Sequence, residues 1–332
     1  MDGVVERGAL LAAKLRALVG ERVVDPVPAD FAGGAALVSG EAAWVLMDRD
    51  PLGALGAAMV WADRRGATSL DLVAEADAPL VARRAALFSR PPRVWTVDGR
   101  DLLPVDAAPP AVHPRPQPAP ELAALLVDAD LEIVIEEGIV RAEVLGLEVA
   151  RIVHGTTTAG TPIDEPVLEV GVGHADREMT AVVHGGLPPF DQLRRVAEIV
   201  GAQRRPDAAR HPLNQLAPER WLRSRINADP SRIGLTSLRS APPAVPRPNL
   251  RDPSVAFGLG VDEDGDDVVV AFSVGVRLDL VPAAADTRLA LAPEATLLLV
   301  VPERDAHPVT HALAARLCRP ARVVTVQDDW RH

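Results

Sequence analysis

The sequence predicts an α/β protein in which two related strand–helix–strand modules at the chain ends flank a central α+β region with a helical extension. Three observations predict it. Residues 90–97 (RPPRVWTV) and 319–326 (RPARVVTV) share six of eight positions, and each follows a strand-like run, a proline and an Ala/Arg-rich helical stretch. Strand and helix periods alternate at both ends, which favours parallel pairing through crossover helices. Between the ends, short apolar–acidic alternations are punctuated by glycine, the pattern of an antiparallel meander.

The elements follow in order. MDGVVERGALLAAKLRALVG reads as an amphipathic helix with acids ahead of its apolar stretch, unlike a signal peptide. Strands are expected at 35–39 and 42–47, and Pro51 opens a helix that ends near Gly66. Strand 69–74, helix 79–88 and strand 93–97 complete a first module, 1–105. Six of the fifteen residues from 106 to 120 are proline, so this segment reads as an extended tether. The central region, 121–240, begins with the helix ELAALLVDA. Four strands follow, EIVIEE, IVRAEVL, LEVARIV and PVLEVGVG, with Gly138 and Gly146 as turns. Helices are then expected from about Asp176, from Pro189 and over 217–227. The last module, 241–332, has strands at 254–260 and 268–276, the helix VPAAADTRLAL and the strand–helix–strand echo.

Composition bounds the chemistry. Of 332 residues 48% are hydrophobic, enough for a large core, and no apolar run has the roughly 18 residues a membrane span needs. A cytoplasmic protein without a membrane partner is the expectation. Cys318 is the one cysteine, which excludes an intrachain disulfide. Lys14 is the one lysine and tyrosine is absent, so no GK[ST] phosphate loop exists and no tyrosine can act as acid or base. The net charge is −11, yet Pro189–Ser240 holds ten arginines against five acids, a local +5. That asymmetry predicts an anion-binding face.

Several residue groups are candidates for function. Arg204, Arg205, Arg210, His211, Arg220, Arg223 and Arg225 could grip phosphates of a nucleic acid or another polyanion, with Trp221 stacking on a base. The alternative for these residues is a core role for Trp221, Leu222 and Ile226 and ion pairing for the arginines. GVGHADRE, 171–178, places His174 and Asp176 at a helix start, where Asp176 reads as an N-cap. DEDGDD, 262–267, lacks the glycine and glutamate positions of a calcium loop and reads as an Asp-Gly hairpin. His307 and His311 have helical ligand spacing without a third ligand. His184-Gly185-Gly186 reads as a helix end.

Two resemblances add to this reading. The helix, acid-bearing strands and following helix around GLEVARIV and PVLEVGVGHADRE resemble the restriction-endonuclease-like nuclease core. The resemblance implies that Glu148 and Glu169 hold a divalent metal that activates water for phosphodiester cleavage. Gly171 stands where that family has lysine, and Arg151 lies near the place of its first acid. The stretches LEVGVGHADRE, HPLNQLAPERWLR and VGVRLDLVP…VVPERD resemble a conserved family of hypothetical proteins from GC-rich actinobacteria, which implies no activity and no site residue. Three functions are therefore carried forward. The leading one is a non-catalytic binding or interaction protein with an anionic partner and no cofactor. The others are a metal-dependent nuclease or phosphodiesterase and a structural assembly subunit that forms a homo-oligomer.

Overall fold

The computed structural model describes residues 2–157, 159–173, 177, 188–205, 212–246 and 254–331. The fold is mixed α/β with three sheets and strand–helix–strand arrangements at both ends. Contacts divide the chain into two compact units. One comprises Met1–Pro110, Val276–Leu289 and His307–Arg322; the other comprises Ala111–Gly275, Ala290–Ala306 and Val323–His332.

The first unit is built on a six-stranded sheet in the order β1-β2-β3-β4-β5-β6. Its strands are β1 (Val27–Ala29), β2 (Gly34–Ser39), β3 (Ala42–Met47), β4 (Ser69–Ala74), β5 (Arg93–Asp98) and β6 (Asp101–Pro104). Strands β1, β2 and β3 are antiparallel, whereas β3, β4 and β5 run parallel through helices α2 (Pro51–Asp63) and α3 (Ala78–Ala85). The period of two sends Trp44 and Leu46 to one face, where they meet Leu15, Leu18 and Val19 of α1 (Asp2–Val19). It leaves Ala43, Val45 and Met47 for the other face, under α2.

Helix α2 starts as its sequence predicts: Pro51 occupies the first turn and Asp50 accepts a hydrogen bond from the Gly53 amide at 3.1 Å. Gly56 lies where a Cβ would overlap the Leu278 carbonyl. Gly56→Ala is expected to destabilise the protein by about 1–3 kcal/mol, the usual cost of overpacking. A thermal melt should show the drop; an unchanged midpoint would mean the Leu278 loop shifts at little cost.

Two long segments of the chain meet within this unit. After α3, Phe88 forms an antiparallel bridge with Leu317, which follows α8 (Pro308–Ala315). The Ser89 amide donates to the Arg316 carbonyl at 2.8 Å, and the Cys318 amide donates to the Leu87 carbonyl at 2.9 Å. In the terminal echo Leu87, Phe88 and Ser89 align with Arg316, Leu317 and Cys318. Equivalent residues of the two copies therefore pair with each other.

The second unit holds two sheets. One is the predicted meander, β10-β9-β8-β7, made of β7 (Glu132–Glu136), β8 (Ile139–Val144), β9 (Leu147–Val153) and β10 (Val167–Val170). All three of its pairings are antiparallel. One of its faces packs on α4 (Pro120–Asp128) and α5 (Pro189–Gln203) through Leu126, Val149, Ile152, Leu193 and Val200. The other sheet runs β11-β12-β13-β14-β15, made of β11 (Leu235–Ala241), β12 (Ala256–Asp262), β13 (Asp267–Phe272), β14 (Thr296–Pro302) and β15 (Arg322–Val326). Its first three strands are antiparallel and β13–β14 is parallel. The order and these pairings repeat those of β1 to β5, so the two end modules share one topology. Helix α6 (Pro218–Ala228) covers this sheet with Trp221, Leu222 and Ile226, and Trp221 meets Trp330 edge to face at 6.0 Å.

The region expected as a last module, 241–332, is parcelled differently from a contiguous domain. Its strands β12, β13 and β14 belong to the second unit, while most of α7 (Leu280–Leu291) and all of α8 belong to the first. The physical reason is the buried chemistry of α7 described below. The helix expected from Asp176 lies outside the described residues, apart from Arg177.

Candidate functional site

Four of the predicted site residues, Glu148, Glu169, Arg220 and Arg223, converge on one face of the four-stranded sheet, the face opposite α4 and α5. A β-bulge creates the arrangement. Between Ala142–Ala150 and Glu143–Glu148 the register shifts by one residue on β9. Glu148 and Arg151 are three apart and would otherwise point to opposite faces; the extra residue brings both to the same one. Arg151 then lies between Arg141 on β8 and Glu169 on β10.

Five carboxylates and five guanidiniums share this face. Glu148, 2% exposed, receives Arg141 at 2.8 Å, Arg151 at 3.0 Å and Arg177 at 3.0 Å. Glu169 lies 4.0 Å from Arg151 and 3.9 Å from Arg177. Helix α6 adds Arg220 and Arg223, one turn apart. Arg220 bridges Glu136 and Glu143, while Arg223 reaches Glu143 at 2.6 Å and Glu132 at 3.4 Å. The opposite side of α6 carries its apolar residues, so one helix serves an ionic face and a core face at once. Gly146 permits this contact: it sits at φ 76°, and a Cβ there would overlap the Arg220 backbone.

The electrostatics follow from burial against pairing. Burial pushes the Glu136 carboxyl up, but the charge of Arg220 and its hydrogen bond, aided by Arg141, outweigh this and hold it below its ordinary value. Burial pushes Arg220 down, yet Glu143 and Glu136 more than reverse it. For Arg177 burial prevails over Glu148 and lowers its pKa.

This geometry corrects the sequence expectation for the arginine region. Arg204 is buried, donates to the carbonyls of Leu145, Leu213 and Leu216, and lies 4.9 Å over the Trp221 ring. Arg220, Trp221 and Arg223 are buried and point into the protein. Of the residues expected to bind an anion, Arg205 alone is exposed among the described ones; Arg210 and His211 lie outside them. The acids expected to hold a metal do share a face, as that chemistry requires. But Arg151 and Arg177 occupy the space between them, and a dication there would meet two guanidiniums. The residues present do not fit a divalent metal at Glu148 and Glu169. Among the described residues no group of three metal-ligating side chains occurs elsewhere.

Other candidates resolve simply. Asp262 accepts from the amides of Asp264 and Asp266, closing the β12–β13 hairpin turn with Gly265 at φ 87°. His307 caps α8, its Nδ1 accepting from the Val309 amide at 3.1 Å. His174, Asp176 and His184 lie outside the described residues.

Two features escaped the sequence reading. Asp286 of α7 is fully buried and binds two neighbouring arginines of α3. Arg83 grips it through two nitrogens at 2.7 and 3.0 Å, and Arg84 through one at 3.1 Å. The second feature is a cleft of about 310 Å³ between the end of α2 and the start of β4, rimmed by Arg90, Arg93 and Arg316. The RPPR spelling of residues 90–93 was visible in the echo, but nothing in the sequence links it to Arg316. No helix among the described residues is long and apolar enough to cross a membrane. Comparisons with family models, with characterised proteins and with solved structures give no match, so the geometry alone carries the functional reading.

Proposed function

We propose that this chain is a non-catalytic binding or interaction protein. The observation that carries the reading is the pairing of Glu148 and Glu169 with Arg151 and Arg177. A nuclease needs those carboxylates free to hold a cation or move a proton, and here guanidiniums already satisfy them. Buried, ion-paired charges of this kind specify one arrangement of strands and helix rather than supply reactivity. An anionic partner remains part of the reading, but Arg220 and Arg223 are not its contacts.

The test is hydrolysis of bis(p-nitrophenyl) phosphate and of single-stranded DNA with magnesium or manganese. Wild-type protein and Glu169→Gln should both match the buffer rate. Turnover by the wild type that Glu169→Gln abolishes would replace this reading with the metal-dependent phosphodiesterase.

A further inference from the structure

We propose that the cleft beside β4 binds a small ligand through an oxyanion, a phosphoryl or carboxylate group on a compact molecule. The inference deepens the binding reading above and rests on it. At about 310 Å³ the cleft is at the lower end of small-molecule sites. Met59, Pro91 and Pro92 form an apolar wall, and Arg90 and Arg316 supply the charge.

The charges do not cancel within the protein. Arg316 pairs with Asp63, and one nitrogen of Arg93 donates to buried Asp71 at 2.6 Å. Asp71 also accepts from the Trp95 indole at 2.8 Å, so it is committed to the fold. Arg90 is exposed and makes no side-chain hydrogen bond or ion pair with any described residue. Arg93 is turned with Asp71 to the α1 face of the sheet, so at the cleft the guanidiniums of Arg90 and Arg316 face one carboxylate, leaving one cation and several unused N–H donors in a chain of net charge −11. A guanidinium fork matches the paired oxygens of phosphate or carboxylate. The fixed φ of Pro91 and Pro92 limits the backbone freedom beside Arg90, so less is lost on ordering it. The Ser89–Arg316 backbone bond brings the second cation from the C-terminal copy.

The duplicate argues for a site rather than a shared structural habit. The C-terminal copy repeats Arg90 as Arg319, but the residue lent to it across the pairing, the N-terminal copy's equivalent of Arg316, is Leu87. Only the N-terminal copy therefore gathers both arginines.

Isothermal titration with inorganic pyrophosphate, and separately with citrate, at low ionic strength tests the site. At least one should bind saturably at a single site, and the stronger tells phosphoryl from carboxylate. Arg90→Ala should weaken it by about tenfold or more, the worth of a charge-assisted hydrogen bond. Its melting temperature should be unchanged, because Arg90 holds nothing in place. Arg322→Ala, in the other copy, should bind as wild type does. No saturable binding of either probe, or binding that survives Arg90→Ala, overturns the proposal. Phosphodiester turnover would remove the non-catalytic reading without altering this titration, so the two fail separately.

Discussion

Glu143→Leu is expected to destabilise the protein by about 3–5 kcal/mol, the usual result of leaving buried charges without their partner. Its side chain is fully buried and takes both Arg220 and Arg223. Leucine leaves two guanidiniums in a closed space, with Glu136 and Glu132 as their remaining partners. Urea unfolding should show a lower midpoint at unchanged slope. Replacing Glu136, Glu143, Arg220 and Arg223 together by apolar residues should recover most of the loss, because desolvation of the ions is then removed as well. A loss below about 1 kcal/mol for the single change would place the network among solvated surface pairs. The same network sets an acid limb. Glu136 titrates below its ordinary 4.5 in the folded chain, so the unfolded chain takes up its proton first as pH falls. Its contribution is complete above that ordinary value and disappears as pH drops through the lower, folded one. Stability measured from pH 7 to pH 3 should fall in that direction; a rise would contradict the pairing with Arg220.

Asp286→Ala should have an effect of the same order, about 3–5 kcal/mol, for the same reason. Arg83 and Arg84 are 5% and 6% exposed. Without Asp286 they keep only the Pro109 and Leu52 carbonyls. The loss should be concentrated locally, in faster amide hydrogen exchange along α3 and α7, before the whole chain unfolds. Asp286→Asn restores an acceptor but no charge, and should recover only part of the stability. Equal exchange in wild type and Asp286→Ala would show that α7 is held by its apolar contacts alone.

Much of the fold was legible. Gly138 and Gly146 marked the meander turns because only a left-handed residue closes such tight hairpins, and both have positive φ. Pro51 and Pro218 marked helix starts for equally local reasons. Edge strands β1 and β6 went unseen because three or four residues carry no measurable period, and β11 because LTSLRSA mixes polar and apolar residues without a clean alternation. The site was less legible. Acids on strands normally mark the solvated face, and nothing local distinguishes Glu136 and Glu143 from that pattern. What buries them is α6, far along the chain, and what aligns Glu148 with Arg151 is a bulge. The count of arginines in 189–240 was right, but count does not give direction, and Arg204, Arg220 and Arg223 point inward. Asp286 was hidden within an alanine-rich helix whose partners are distant in sequence.

The pairing of Leu87–Ser89 with Arg316–Cys318 has a consequence for synthesis. The first unit joins Met1–Pro110 to Val276–Leu289 and His307–Arg322, so it cannot be completed while the ribosome is still making the residues between them. Until α7 emerges, Arg83 and Arg84 lack their carboxylate, and the backbone groups of Leu87 and Ser89 wait for Arg316 and Cys318, more than 200 residues further on. The second unit, by contrast, has its meander and α6 in hand much earlier. Nascent chains stalled before Val276 should therefore show an ordered meander and an N-terminal sheet that proteases still reach, and synthesis through Arg322 is what completes the first unit.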